Sequence, residues 1–351
     1  MKKKSLVVKK TIHKSLLKHL KDKKVKKVYS EFCKYLNLNI DKKNSRIAAA
    51  ISGGPDSLSL AFLLKCYLLA NKIEGNFFIV NHNLRKNSYR EAENVKKLLK
   101  KIDISCKILF WRGNKPISNI QSIARNTRYN LLKKACKKNK INHLLIGHHL
   151  NDLYENFFIR LLRGSGLKGL ASFGEKVKDK DNFFILRPLI KFKKDKLVYI
   201  SNLVFNYFIK DPSNENPNFM RSRIRKLLFE LKKEGLNEKK LNLTIKNLQI
   251  ANQAIDFYVK QNIKNNARFN KQKNIYILNK NFFNEALEVS FRSFSIILSE
   301  IGGKYYSPRG VKILNSIFKI LKKNEPKVNK FTLGGCFIEK VNETVFITKE
   351  K

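Results

Sequence analysis

No window of this 351-residue chain approaches 18 consecutive uncharged apolar residues, which excludes a membrane-spanning helix of ordinary length. The first ten residues, Met1 to Lys10, hold lysines at both ends and no hydrophobic stretch long enough for a signal peptide. These two absences lead to the expectation of a soluble, cytoplasmic protein. Cysteine is scarce and scattered: Cys33, Cys66, Cys106, Cys136 and Cys336 stand singly, with no C-x-x-C pair. That pattern argues against a disulfide framework, a zinc site or an iron–sulfur cluster, and treats the thiols as small buried hydrophobes. Acidic residues are also scarce, 27 against 74 Lys+Arg, leaving a formal charge of +47. Such a field calls for a polyanionic partner, nucleic acid first. Lysine far outnumbers arginine, so part of the excess is ordinary solvated surface. No internal repeat is visible, and no low-complexity segment beyond the lysine runs.

What is present is apolar material enough for real cores, with 43% hydrophobic and 11% aromatic residues, in a length that fits two domains. Val25, Val28, Tyr29, Phe32 and Leu36 fall at helical spacing and predict a leading helix in a basic extension, residues 1–44. From Arg46 short apolar runs alternate with amphipathic segments: Ile47 to Ile51 then Leu58 to Leu69, Phe77 to Val80 then Ala92 to Ile102, Ile104 to Trp111 then Ile117 to Cys136, Leu144 to Ile146 then Leu153 to Leu162. Strands alternating with helices predict an α/β fold with a doubly wound parallel sheet over residues 45–232. Ligands in such sheets bind beyond the carboxyl ends of the strands. The segments there are Ser52 to Ser57, His82 to Arg85, Arg112 to Lys115 and Gly147 to Asp152. After Gly235 long helical patterns take over, Leu241 to Val259 and Phe282 to Ile301, with Gly302 and Gly303 as a C-cap. They predict a mainly helical domain, residues 233–328, followed by a small β-containing tail, residues 329–351, a hairpin at most around Asn342 and Glu343.

Ser52, Gly53, Gly54, Pro55, Asp56 and Ser57 follow a strand and open a helix. Two glycines let the backbone approach a ligand closely, aim successive N–H groups at one point, and set that point on a helix N-terminus, where anions are favoured. The turn is built for a phosphate. No Walker lysine follows the glycines, which excludes a GTPase-type loop. The hexapeptide resembles the PP-loop of the N-type ATP pyrophosphatases, enzymes that split ATP between its α and β phosphates.

Further motifs narrow the resemblance. Gly147 to Asn156 (G-H-H-L-N-D-L-Y-E-N), Arg163 to Leu170 (R-G-S-G-L-K-G-L), Asn81 to Arg85, Ala124 to Tyr129, Arg187-Pro188-Leu189, Asp211 to Asn214, and the alternating Arg221, Arg223 and Arg225 are similar to motifs of the tRNA(Ile)-lysidine synthetase family. The similarity is close over Ile47 to Leu228 and looser beyond, where Leu333, Gly334, Gly335 and Cys336 fit the family's small C-terminal region. Asn81, Asn151 and Asn156 depart from the commoner Asp, Asp and Thr. The string Gly164-x-Gly166-x-x-Gly169 imitates a dinucleotide fingerprint, but it follows a helical pattern where that fingerprint requires a strand.

The resemblance implies an adenine nucleotide alpha-hydrolase-like PP-loop domain, ATP and magnesium as cofactors, and free lysine and a tRNA(Ile) with a CAU anticodon as partners, with residues 233–328 binding the tRNA. It implies two steps: a wobble-cytidine carbonyl oxygen attacks the α-phosphate of ATP, and the lysine ε-amine then displaces AMP. Charge building on phosphoryl oxygens needs fixed N–H donors and cations, which Ser52 to Ser57, Asp56 as a metal ligand, and Arg125 could supply, with His82 and Gly147 beside the nucleotide. The amine must lose a proton, and with a reference pKa of about 10.4 only roughly one molecule in 2,500 is neutral at pH 7. Asp152 and Glu155 lie three apart on a predicted helix face with His148 a turn earlier, so that one can hold the ammonium while another takes the proton. The plainer reading of the three is a helix start favoured by the macrodipole plus packed histidines. Two other functions stay open on the sequence: a tRNA thiolase, although those carry paired cysteines or an added RNA-binding module, and a catalytically silent basic RNA-binding protein. A homodimer is compatible with the sequence, which does not fix the oligomeric state.

Overall fold

The computed structural model describes residues 11–42, 45–83, 87–113, 120–179, 182–209, 220–303, 308–322 and 329–350. The chain divides into two compact units, Met1–Asn237 and Glu238–Lys351.

The first unit is built on a six-stranded sheet. Its strands are β1 (Ile47–Ile51), β2 (Gly75–Asn81), β3 (Cys106–Phe110), β4 (His143–Ile146), β5 (Lys176–Lys178) and β6 (Phe184–Leu186), in the spatial order β3-β2-β1-β4-β6-β5. All neighbours run parallel except β5, which is antiparallel to β6. The alternation read from the sequence is therefore the fold, with helices α2 (Pro55–Asn71), α3 (Ser88–Lys100), α4 (Ile120–Lys138) and α5 (Leu150–Leu161) as the crossovers. From β1 the chain winds outward through β2 to β3, then returns to lay β4 on the other flank of β1. The strand order reverses between β1 and β4, and their carboxyl ends bound the crevice such sheets use for ligands. Further helices of this unit are α6 (Leu167–Ala171), α7 (Lys194–Phe205) and α8 (Met220–Lys233).

Helix α2 lies deepest, because residues such as Leu58, Leu60, Phe62, Leu63 and Leu64 make it apolar on every side, the pattern of a helix surrounded by protein. The buried Ser59 hydroxyl of α2 donates to Leu197 O at 2.7 Å, tying α2 to α7. The leading helix, α1 (Lys23–Asn39), is capped by Asp22, whose carboxylate accepts from Lys24 N and Val25 N at 2.8 and 3.0 Å. Its stripe of Val25, Val28, Phe32 and Leu36 is buried in one cluster with Ile47, Phe62 and Leu63. Residues 23–39 are thus part of the first core rather than an appendage, since a stripe that apolar has to be covered.

The second unit is mainly helical with a β-containing tail, as expected, but the tail is more than a hairpin. Helix α9 (Glu238–Asn266) leads into β7 (Ala267–Asn270) and β8 (Ile275–Leu278), followed by α10 (Leu287–Gly302), α11 (Gly310–Leu321), β9 (Asn329–Leu333), β10 (Cys336–Val341) and β11 (Thr344–Lys349). The strands form one antiparallel sheet in the order β7-β8-β11-β10-β9. The turn at Asn342, with φ +53°, joins β10 to β11 as the sequence predicts, but Val345 also pairs with Leu278. Leu278, Phe294, Ile297, Ile317, Ile338 and Ile347 make its core. Gly303 caps α10 in the left-handed region at φ +63°, as expected.

Candidate functional site

Two segments meet at the carboxyl edge between β1 and β4. After β1 the chain turns through Ser52 and Gly53, where φ is +85°, into Gly54 and Pro55 at the start of α2. Pro55 occupies the first helical turn, where its missing N–H costs nothing. A Cβ on Gly53 would fall 2.6 Å from Val95 and 2.8 Å from Ile209, so both backbone angle and space demand glycine. The Ser57 hydroxyl braces the loop, donating to Gly54 O at 2.9 Å and accepting from Ser52 N at 3.1 Å. After β4, Gly147 passes the backbone of Asp56 so closely that a Cβ would lie 3.1 Å from its carbonyl. Glycine there brings the second segment against the first turn of α2.

The second segment carries His148 and His149 and then opens α5. His149 is the N-cap, in extended conformation, and its N–H donates to Asp152 Oδ2 at 3.0 Å. Its ring lies between two carboxylates, Nε2 being 3.5 Å from Asp56 Oδ2 and 3.6 Å from Asp152 Oδ2. Burial would lower the His149 pKa, but the two carboxylates raise it above its ordinary value. Burial would raise the Asp152 carboxyl, yet His149, His148, the His149 N–H and Arg221 hold it below the usual range. Asp56 therefore stands beside Asp152 through His149, and Asp56 Oδ1 is buried without a partner.

The three residues expected to share a helix face separate. Because α5 starts only at Leu150, His148 precedes the helix and is not a turn below Asp152. It accepts at Nδ1 from Arg187 Nε, 3.1 Å away, and packs against Phe173. Burial pushes its pKa down to about 3, helped by Arg187, Arg125 and Arg221 and opposed by Asp152. His148 is neutral, with its proton on Nε2, where it can donate but has no lone pair to accept. Glu155, only 2% exposed, forms an ion pair with Arg225 of α8, Nε to Oε1 at 2.6 Å. Arg125 lies over the ring of Tyr129 at 5.2 Å. At the end of β2, His82 accepts at Nε2 from Arg128 Nε at 3.2 Å, while burial and that guanidinium push its pKa down to about 4. Its Nδ1 is buried without a partner, so the proton there is an unanswered donor.

The structure gives contacts at the site to His149, Arg187, Arg221 and Arg225, which the sequence named only as members of motifs. Their signals were present, an N-cap position three before Asp152 and arginines alternating along one helix, but both need the helix starts to be known. The three departures each have a local use: Asn81 Oδ1 accepts from Asn83 N, Asn151 Oδ1 from Lys194 N and Asn156 Oδ1 from Arg160 Nε. Leu84, Arg85, Lys115 and Asp211 to Asn214 lie outside the described residues. Among the described residues no group of three or more His, Cys, Asp or Glu forms a ready metal site, and no helix is long and apolar enough to cross a membrane.

The PP-loop domain family matches residues 18–232. A tRNA(Ile)-lysidine synthase from Wolbachia sp. subsp. Brugia malayi (strain TRS) is 30% identical over 309 residues, which cover 88% of this chain and 71% of that protein. Another from Orientia tsutsugamushi (strain Boryong) is 32% identical over 324 residues, covering 88% and 70%. Among solved structures, the U34-tRNA thiolase NcsA from Methanococcus maripaludis superposes with a TM-score of 0.54 at 21% identity, over 66% of this chain and 79% of that one. That last likeness is one of fold.

Proposed function

The chain belongs to the tRNA(Ile)-lysidine synthase family of PP-loop enzymes, and on that premise we propose that it joins free lysine to the wobble cytidine of a tRNA(Ile) with a CAU anticodon. The reaction consumes ATP, passes through an adenylated tRNA, and releases pyrophosphate and AMP. The observation that carries the reading is the meeting of Asp56, His149 and Asp152 where the strand order reverses.

In the first step the cytidine carbonyl oxygen bonds to the α-phosphorus and pyrophosphate leaves. The N–H groups of Gly53, Gly54, Asp56 and Ser57 at the N-terminus of α2 receive the phosphates, and Arg125 offsets the charge that builds on them. Magnesium fits this site: the buried, unpartnered Asp56 Oδ1 offers one carboxylate ligand beside the phosphates, the donor set such an ion commonly takes. When bound it would neutralise phosphoryl charge. In the second step the lysine amine attacks the same cytidine carbon and AMP departs with the ring oxygen. Asp152, held ionised, binds the ammonium and takes its proton, freeing the lone pair that forms the new C–N bond. The His148 lone pair, on Nδ1, is occupied by Arg187 and Glu155 is committed to Arg225, so neither serves as base. Glu155 acts instead by fixing α8, and with it Arg221, beside Asp152. Residues 233–328 add tRNA-binding surface.

The test is incorporation of radiolabelled lysine into tRNA transcripts. Label should enter tRNA(Ile) bearing CAU only with ATP present, with AMP and pyrophosphate formed in equal amounts. ATP cleavage without lysine transfer to any tRNA would overturn the reading.

A further inference from the structure

We infer that the stacked rings of Tyr89 and Phe110 form a platform for one unpaired base of the RNA substrate, an inference that rests on the tRNA reading above. Tyr89 is the second residue of α3 and Phe110 the last of β3. Their planes lie 24° apart with centroids at 6.1 Å, an offset stack. Yet 55% of Tyr89 and 44% of Phe110 remain exposed, and β3 is the edge strand, so no further strand of the sheet covers them. The location ties the pair to the site. Phe110 stands in register with Asn81, and the next residue, Trp111, donates its N–H to Asn81 O at 3.0 Å. His82, with its unanswered Nδ1 proton, follows at once. The platform therefore sits at the carboxyl edge of the sheet, on the same side as the candidate site and one strand outward from His82.

Charge decides the occupant. Arg90 and Arg112, both exposed, follow the two platform segments. Protein interfaces also set aromatic residues within polar rims, but in a chain of formal charge +47 the polyanion is favoured, and a nucleotide brings both a π-face for the rings and a phosphate for the arginines. Aromatic side chains beside cations are the general means of holding single-stranded RNA. Other ring contacts with exposed members, among the described residues, are less parallel: Phe257 and Tyr258 meet edge-on at 81°, Phe269 meets Tyr276 at a tilt of 35°, and Phe229 is covered by Lys233, 4.7 Å from its centroid.

The probes are an RNA hairpin with a seven-nucleotide loop containing CAU and a blunt duplex of the same stem, titrated against the full chain. Base–aromatic stacking is worth about 1–3 kcal/mol, so Tyr89→Ala and Phe110→Ala should each weaken hairpin binding by about 5-fold to 150-fold while duplex binding is unchanged. Tyr89→Trp should bind as the parent does. Removing the base at one loop position should reproduce the loss, and combining it with Tyr89→Ala should cost no more than either alone. Alanine variants that bind the hairpin like the parent, equal losses on the duplex, or losses that add at every loop position would overturn the platform. None of these measurements needs ATP or lysine. A chain that transfers no lysine would defeat the functional reading while leaving the base-dependence of hairpin binding to stand or fall by itself.

Discussion

In the unit of Met1–Asn237 the buried His149, Asp152 and Glu155 lie past the carboxyl edge of the sheet, whereas in Glu238–Lys351 the buried Arg292 and Asn262 tie α9 to neighbouring segments. The contrast shows in the buried polar atoms that have no partner among the described residues. Three of the five, Asp56 Oδ1, His82 Nδ1 and His149 Nδ1, follow strand ends at the carboxyl edge; a fourth, Ser201 Oγ, lies on α7. The fifth, Arg292 Nη2, belongs to a side chain otherwise fully engaged: Nε on Glu288, Nη1 on Asn252 and Asp256 at 2.7 and 3.0 Å. Asn262 beside it donates to Phe282 O and to Ser293 Oγ. A buried group without a partner costs about 1–3 kcal/mol. Three such costs in neighbouring segments persist where a ligand would offset them, whereas in the second unit Arg292 Nη2 is the one such atom among the described residues.

The comparison breaks most visibly at Asp56. Asp56→Ala should abolish pyrophosphate release, a loss of about 1,000-fold or more, and leave tRNA affinity nearly unchanged, because RNA is held by other basic surface. Parallel measurements of pyrophosphate and of tRNA binding check it, and substantial ATP turnover would remove the loop from the ATP site. In the second unit the expected loss is of stability. Arg292→Ala removes a large side chain only 2% exposed and should cost about 2–4 kcal/mol in urea unfolding, with ATP-dependent pyrophosphate release retained below the transition. A variant of native stability would mean that the arginine network holds nothing together.

The smallest effect is a pH dependence of the first unit's stability. His148 and His82, pushed down to about 3 and about 4 mainly by burial, stay unprotonated where the unfolded chain, with histidines near 6.5, takes up protons. Stability should therefore fall on acidification from pH 6.5 towards 4. His149 has the opposite sign: its raised pKa stabilises fully below about pH 6.5, and the gain is lost as pH rises through the folded value. Asp152, with its lowered pKa, stabilises above about pH 4, and that gain is lost as pH falls through its folded value. Urea midpoints of His82→Asn across this range should show a shallower acid limb, and those of His149→Asn no decline above pH 6.5. Unchanged profiles would contradict the burial and pairing that set these shifts.

How far the sequence carries differs between the same two units. The parallel sheet was legible because each strand is a short apolar run, each crossover a longer amphipathic one, and the PP-loop marks where β1 ends. β5 and β6 were not, being three residues each, and Lys176–Lys178 is exposed throughout. The second sheet was hidden for another reason: β8 pairs with β11, about 70 residues away, and no local pattern records that partner. At the site, helical spacing led to His148 because it assumed the helix had already begun. The extended backbone at His149 moves the start to Leu150, turns His148 to Arg187 and leaves His149 between the carboxylates. Glu155 was found by spacing, but its partner Arg225 comes from a helix 70 residues on.

The most direct test of the proposed chemistry is a single-turnover experiment on Asp152→Asn with ATP labelled at the α-phosphate, following label first into tRNA and then into AMP. The substitution keeps the side chain's shape and removes its charge and most of its basicity. Adenylation should proceed near the parent rate, lysine transfer should slow by about 100-fold to 10,000-fold, and adenylated tRNA should accumulate even at saturating lysine. If adenylation collapses while transfer from preformed adenylate runs normally, Asp152 serves the ATP site and the account of amine handling is wrong.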